Sequence, residues 1–174
     1  MPESDRRRLY REQAPRAPEG LFSLESVLEG TGPIELDIGF GRGLSLFERA
    51  ALAPESRILG IEVKTKLAYQ VDQRLRKRQV ANVSVFCGDA REILKRAEPD
   101  RSVRRVSLHF PDPWWKKRHD KRRVIGETLL GELERLMDSL KPKLSSLKMP
   151  GPAIALPLIH LQLREGASTY PYQK

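Results

Sequence analysis

Cysteine is almost missing from these 174 residues: Cys87 stands alone, which excludes an internal disulfide and predicts a chain at home in a reducing cytoplasm. No apolar run approaches the roughly 20 residues that a membrane-spanning helix needs. Arg6, Arg7 and Arg8 lack the following apolar stretch of a signal peptide. Of the three histidines, His109 and His119 fit no metal constellation, and His160 has no acid or cysteine at ligand spacing. No metal is expected. Internal repeats are lacking too, and the length suits one domain with a hydrophobic core. Aromatic residues make up only 6%, yet Trp114 and Trp115 are adjacent.

Those tryptophans sit in the most informative stretch, Phe-Pro-Asp-Pro-Trp-Trp-Lys-Lys-Arg-His-Asp-Lys-Arg-Arg over residues 110–123. Pro111 and Pro113 restrict the backbone on both sides of Asp112. Residues 101–123 hold nine Lys/Arg against Asp112 and Asp120, so +7 of the chain's net +9 is concentrated there. A rigid carboxylate, flat aromatic surface and clustered cations together point to an enzyme acting on nucleic acid, with the cations tracking phosphates.

The pattern along the chain divides it into a mobile basic arm over 1–20, a folded domain over 21–142 and a segment over 143–174 of no assignable fold. Strands are predicted at Ile34–Ile38, Arg57–Val63, Val83–Cys87 and Val103–Phe110. Helices are predicted from residue 44, with Leu44, Phe47, Ala50 and Ala51 on one face, over Lys64–Gln79, near Ala90–Arg96 and over Val124–Leu140. Ala153–Leu163 can form a strand only at an edge, because Pro157 lies inside it. Alternating strands and helices imply an α/β fold with a parallel sheet and right-handed crossovers. In such sheets ligands sit beyond the carboxyl ends of the strands.

Glu35-Leu36-Asp37-Ile38-Gly39-Phe40-Gly41-Arg42-Gly43 is a strand running into a glycine turn. Gly39 and Gly41 let the backbone pass close beneath a ligand. Asp37, Glu62 and Asp89 stand at three successive strand ends, although each also precedes a helix and can serve as its cap. Glu62 lies about 20 residues past the turn, where Rossmann-type folds place a carboxylate on ribose hydroxyls. That spacing alone permits NAD. The turn lacks the third glycine at dinucleotide spacing, however, and Asp37 would repel a pyrophosphate while accepting a cationic methionine end. The cofactor expected is S-adenosylmethionine, with Asp89 or its backbone near the adenine amino group. Cys87 is expected in the core.

Leu-Asp-Ile-Gly-Phe-Gly-Arg-Gly, Gly60-Ile61-Glu62-Val63, Gly88-Asp89-Ala90 and Phe110-Pro111-Asp112-Pro113-Trp114 with its basic run together resemble the bacterial tRNA (guanine-N7-)-methyltransferase family over about residues 30–142. The resemblance implies a Rossmann-like class I methyltransferase fold and methyl transfer from S-adenosylmethionine to N7 of guanine 46 in tRNA. It implies cofactor contacts at Asp37, where most members carry glutamate, and at Glu62 and Asp89. It also implies a catalytic role for Asp112 and substrate binding by Lys116. After Pro142 the chain departs from the family: a Gly-Gly turn, a Thr-Asp strand end and a Thr-x-x-Glu segment do not follow. The C-terminal strands of the family's seven-stranded sheet are therefore expected to be incomplete. The alternative reading is a catalytically impaired RNA-binding relative lacking those substrate-binding residues.

Overall fold

The computed structural model describes residues 2–108 and 127–137, together with the backbone of 159–162. The proline-flanked aspartate, both tryptophans and the cations of residues 116–123 lie outside the described residues.

The chain opens with helix α1 (Glu3–Gln13), strand β1 (Phe22–Ser23) and a short helix α2 (Leu24–Val27). Strand β2 (Ile34–Ile38), helix α3 (Leu44–Leu52), strand β3 (Arg57–Glu62), helix α4 (Thr65–Lys77), strand β4 (Val83–Cys87) and helix α5 (Ala90–Leu94) then alternate. Strand β5 (Ala97–Glu98), strand β6 (Val103–Leu108), helix α6 (Glu127–Leu136) and strand β7 (Ile159–Gln162) complete the described elements. Among the described residues the main sheet has the order β4-β3-β2-β6-β7, and β1 pairs with β5 in a separate two-stranded sheet. Four strands of the main sheet are parallel, and β7 runs antiparallel beside β6.

Counted by appearance within the main sheet, that order is 3-2-1-4-5, the doubly wound Rossmann-like arrangement. Its strand order reverses between β2 and β6, whose last residues, Ile38 and Leu108, are register partners. Among the described residues β7 takes an edge position, as expected for a strand within Ala153–Leu163.

Alternation along β2 sorts side chains onto two faces. Ile34, Leu36 and Ile38 join Leu59, Ile61, Val106 and Leu108 in one core layer, covered by Ile93 and Leu94 of α5 and by Leu129, Leu133 and Leu136 of α6. On the other face Ile58, Val83, Val85 and Cys87 pack beneath Leu46 and Ala50 of α3 and Ala68, Val71 and Leu75 of α4. Each large aliphatic side chain so buried contributes about 1.5–3 kcal/mol. The second face of β2 carries a charged network. Buried Glu35 accepts from Ser56 Oγ at 2.9 Å and from Arg49 Nε at 2.7 Å, and Arg105 Nε lies 3.9 Å from it.

Two expectations change. Residues 3–13, read as part of a mobile arm, form α1. No proline interrupts them, and the Arg7–Glu3 and Arg8–Glu12 pairs bridge successive turns at 2.5 and 2.8 Å. Tyr10 packs against Tyr69 of α4 with ring centroids 5.3 Å apart, Ala14 is buried, and Pro15 accepts a hydrogen bond from Cys87 N–H of β4 at 2.7 Å. In α3 the buried face is Leu46 and Ala50, with Phe47 half-buried, whereas Leu44 is 72% exposed and Ala51 is exposed. The helix begins at Leu44, so its first residue projects at the rim of the sheet before the face turns inward.

Candidate cofactor site at the carboxyl edge of the sheet

Backbone bonds lace three strand ends together. Gly39 N–H donates to Ile61 C=O at 2.7 Å, and Gly88 N–H donates to Glu62 C=O at 3.1 Å. The glycine turn is thereby held against the end of β3, which is held in turn against the end of β4. Gly39 and Gly41 have φ of 76° and 57°, the left-handed region that side-chain-bearing residues rarely occupy. Among the described residues, a Cβ on Gly41 would meet nothing within 4 Å.

Glu62 is buried, yet its carboxylate reaches the turn. Oε2 accepts from Gly41 N–H at 2.9 Å and Oε1 accepts from Lys64 N–H at 2.8 Å. Asp37 is buried at the end of β2 and accepts from Ser45 Oγ at 3.4 Å. Asp89, half-buried, caps α5 by accepting from Arg91 N–H at 2.9 Å, and its two oxygens engage the Arg91 guanidinium, with Nη2 at 2.5 Å. The Arg91 hydrogen bonds hold the Asp89 carboxyl below its ordinary range against the opposing effect of burial. Of the three acids, Asp89 alone is a helix cap: α3 is capped by Gly43 and α4 by Lys64.

The structure thus brings Asp37, Gly39, Gly41, Glu62 and Asp89 to one edge of the sheet through the ends of β2, β3 and β4. Asp112 and Lys116 lie outside the described residues, in the stretch of sequence after β6. Cys87 is in the core, as expected.

Sequence reading missed Phe40 and Gly60. Phe40 looks like a loop residue between glycines, but it is 4% exposed and packs over Gly60 of β3, where a Cβ would come within 2.8 Å of its ring. An isolated glycine inside an apolar strand was the available signal for this close approach. Val63, directly after Glu62, leaves an apolar side chain at the rim, 62% exposed.

The residues present suit a nucleoside-bearing cationic cofactor in chemical type: two buried carboxylates, Glu62 and Asp37, stand beside a left-handed glycine turn. Among the described residues no group of three or more His, Cys, Asp or Glu is arranged to hold a metal, and no helix is long and apolar enough to cross a membrane.

Sheet order, glycine turn and acid-tipped strands define a Rossmann-like α/β protein built to hold a nucleoside cofactor. Residues 31–142 match the family model described as "Putative methyltransferase", and the chain belongs to that methyltransferase family. It is 38% identical over 117 residues to a tRNA (guanine-N(7)-)-methyltransferase of Alcanivorax borkumensis, a match covering 67% of this chain and 49% of that one. It is 41% identical over 132 residues to the protein of the same description from Nitrosococcus oceani, covering 69% of this chain and 56% of that one. The chain spans about half the length of the curated relatives it matches. Among solved structures, a SAM-dependent methyltransferase from Aquifex aeolicus superposes with a TM-score of 0.47 at 20% identity, covering 63% of this chain and 54% of that one.

Proposed function

We propose that this chain is a tRNA (guanine(46)-N(7))-methyltransferase that uses S-adenosylmethionine, acting in the cytoplasm through a catalytic domain over residues 21–142. The observation that carries the reading is the carboxylate-lined edge formed by β2, β3 and β4, together with the Pro-Asp-Pro-Trp-basic stretch that follows β6. The substrate is that of the tRNA (guanine-N(7)-)-methyltransferases the chain resembles.

S-adenosylmethionine, when bound, supplies an electrophilic methyl group on a sulfonium. Glu62 would hold the ribose hydroxyls, Asp37 the cationic methionine end, and Asp89 or its backbone the adenine amino group. Guanine N7 already bears an in-plane lone pair, so no side chain has to remove a proton before it reacts. The work of the protein is alignment, which can supply about 7–11 kcal/mol in favourable cases. Asp112 would accept hydrogen bonds from guanine N1–H and the exocyclic amino group. Its negative charge would stabilise the positive charge that develops on the purine, and it would exclude adenine, which lacks those donors. Lys116 and the neighbouring cations would bind the RNA backbone, and the paired tryptophans offer a stacking face to an extruded base.

The test is methyl transfer to unmodified tRNA, with the modified base identified after digestion. The expected product is 7-methylguanosine, with transfer lost in Asp112→Ala while affinity for S-adenosylhomocysteine is retained. Cofactor binding without any transfer by the wild-type chain would favour the impaired RNA-binding relative instead.

A further inference from the structure

The surplus of positive charge has a second home. Residues 64–78 carry Lys64, Lys66, Arg74, Arg76, Lys77 and Arg78 against Asp72, a net +5. Outside this segment and residues 101–123 the chain is net −3, so the positive surplus outside that basic stretch gathers on α4 and its two flanks. The buried side of α4 is Ala68, Val71 and Leu75. On its solvent side Lys66, Gln70, Gln73 and Lys77 succeed one another at i, i+4, i+7 and i+11, all exposed. They form a polar ridge about 16 Å long at 1.5 Å per residue.

Beside the ridge runs an open groove lined by Arg42, Lys66, Tyr69, Gln70, Gln73 and Arg74. Its cations are positioned. The Arg74 guanidinium lies 5.2 Å from the Phe47 ring centroid, donates to Arg42 C=O, and donates to Gln70 C=O at 3.3 Å. Arg78 covers the same ring at 4.9 Å. Among the described residues Arg76 is the one cation of this set paired with an acid, Asp72 at 2.9 Å. Arg42 belongs to the glycine turn and Lys66 to the first turn of α4, so the groove opens at the same edge of the sheet as the cofactor site.

We propose that this ridge and groove hold the phosphodiester backbone of the substrate RNA, as a grip separate from the basic segment after β6. The proposal rests on the reading of the chain as a tRNA methyltransferase. Lys66 and Lys77 supply charge for phosphates, and the Gln70 and Gln73 amides can both donate and accept toward phosphate and 2′-hydroxyl oxygens. An anionic bilayer is the competing polyanion. A helix that lies on a membrane needs a free apolar face to bury in it, and the apolar face of α4 is already committed to the core.

The experiment compares the full-length wild-type chain with Lys66→Glu/Lys77→Glu in tRNA binding across a salt series. The expected result is a Kd raised about tenfold or more at low salt, with the slope of log affinity against log salt reduced by roughly two. Affinity for S-adenosylhomocysteine should not change, and Lys95→Glu, on the helix layer of the opposite face, should bind as wild type. Should the double reversal fold poorly, Lys66→Gln/Lys77→Gln should show the same change at smaller amplitude. Wild-type Kd and slope in these variants would overturn the proposal. So would unchanged tRNA binding accompanied by lost binding to phosphatidylglycerol vesicles. A wild-type chain that binds tRNA through these lysines yet transfers no methyl group would sink the catalytic reading and leave the grip standing.

Discussion

Glu62 and Gly41, 21 positions apart, are joined by a hydrogen bond of 2.9 Å from the glycine N–H to the carboxylate Oε2. The second oxygen of that carboxylate takes Lys64 N–H, so one side chain fixes both the glycine turn and the entry to α4. Glu62→Gln is therefore expected to disturb the site although the shape is conserved. A glutamine oxygen can satisfy one of the two donors, and its amino group then faces the other. The loss should be about 1–3 kcal/mol, read by calorimetry as an affinity for S-adenosylhomocysteine weaker by about fivefold to a hundredfold. Undiminished affinity would remove Glu62 from the cofactor site.

Gly60→Ala should loosen the same turn from beneath. The added methyl would lie 2.8 Å from Phe40 Cδ1 and 3.0 Å from Val85 Cγ1, so the Phe40 ring has to move. Overpacking of this kind costs about 1–3 kcal/mol. Thermal denaturation should show a lower Tm, with cofactor affinity falling alongside it; a variant as stable as wild type would show that the ring is not seated on the strand.

Acid should weaken the fold through Glu35. Burial opposes its ionisation, but hydrogen bonds from Arg49 and Ser56 and the charges of Arg49 and Arg105 outweigh burial, and its pKa lies below the ordinary 4.5. A depressed carboxylate stabilises the folded state fully above its unfolded value and loses that contribution as pH falls through the folded one. Urea titrations should therefore show stability falling below about pH 4.5, with a flatter acid limb in Glu35→Gln. At neutral pH that variant should cost about 3 kcal/mol, near the low end for a broken buried pair, because Arg49 keeps 29% of its side chain exposed. An acid limb as steep as wild type would assign the pH dependence elsewhere.

Tyr10→Ala probes the N-terminal helix. Its ring stacks obliquely on Tyr69 at 5.3 Å, and such pairs contribute about 0.5–1.5 kcal/mol beyond burial. A lower Tm and faster amide exchange over residues 3–13 are expected; wild-type protection there would mean the helix stands without α4.

The parallel strands were legible because each is a short apolar run ended by a turn, and β4 was read to its boundaries, Val83–Cys87. The helix α1 was not. Its arginines and the prolines on either side of it give the composition of an arm, and what it packs on is Tyr69, more than fifty residues away. The buried Glu35–Arg49–Ser56 cluster was equally invisible, since polar side chains inside a sheet layer depend on partners that only the tertiary fold supplies. At the candidate site the positions of the acids followed from local pattern. Their engagement did not: Glu62 turned onto the Gly41 amide, Asp89 clamped by Arg91, and Phe40 set down over Gly60 all arise from contacts between strands.

The link from Pro15 C=O to Cys87 N–H has a wider meaning for the molecule. Among the described residues β4 is the outermost strand of the main sheet on its side, and a bare margin of that kind invites a foreign strand to zip alongside. The residues just past α1 already occupy part of that berth, and a proline there offers no amide hydrogen through which an intruder could continue the ladder. The N-terminal segment thus covers part of that margin while its helix rests on α4.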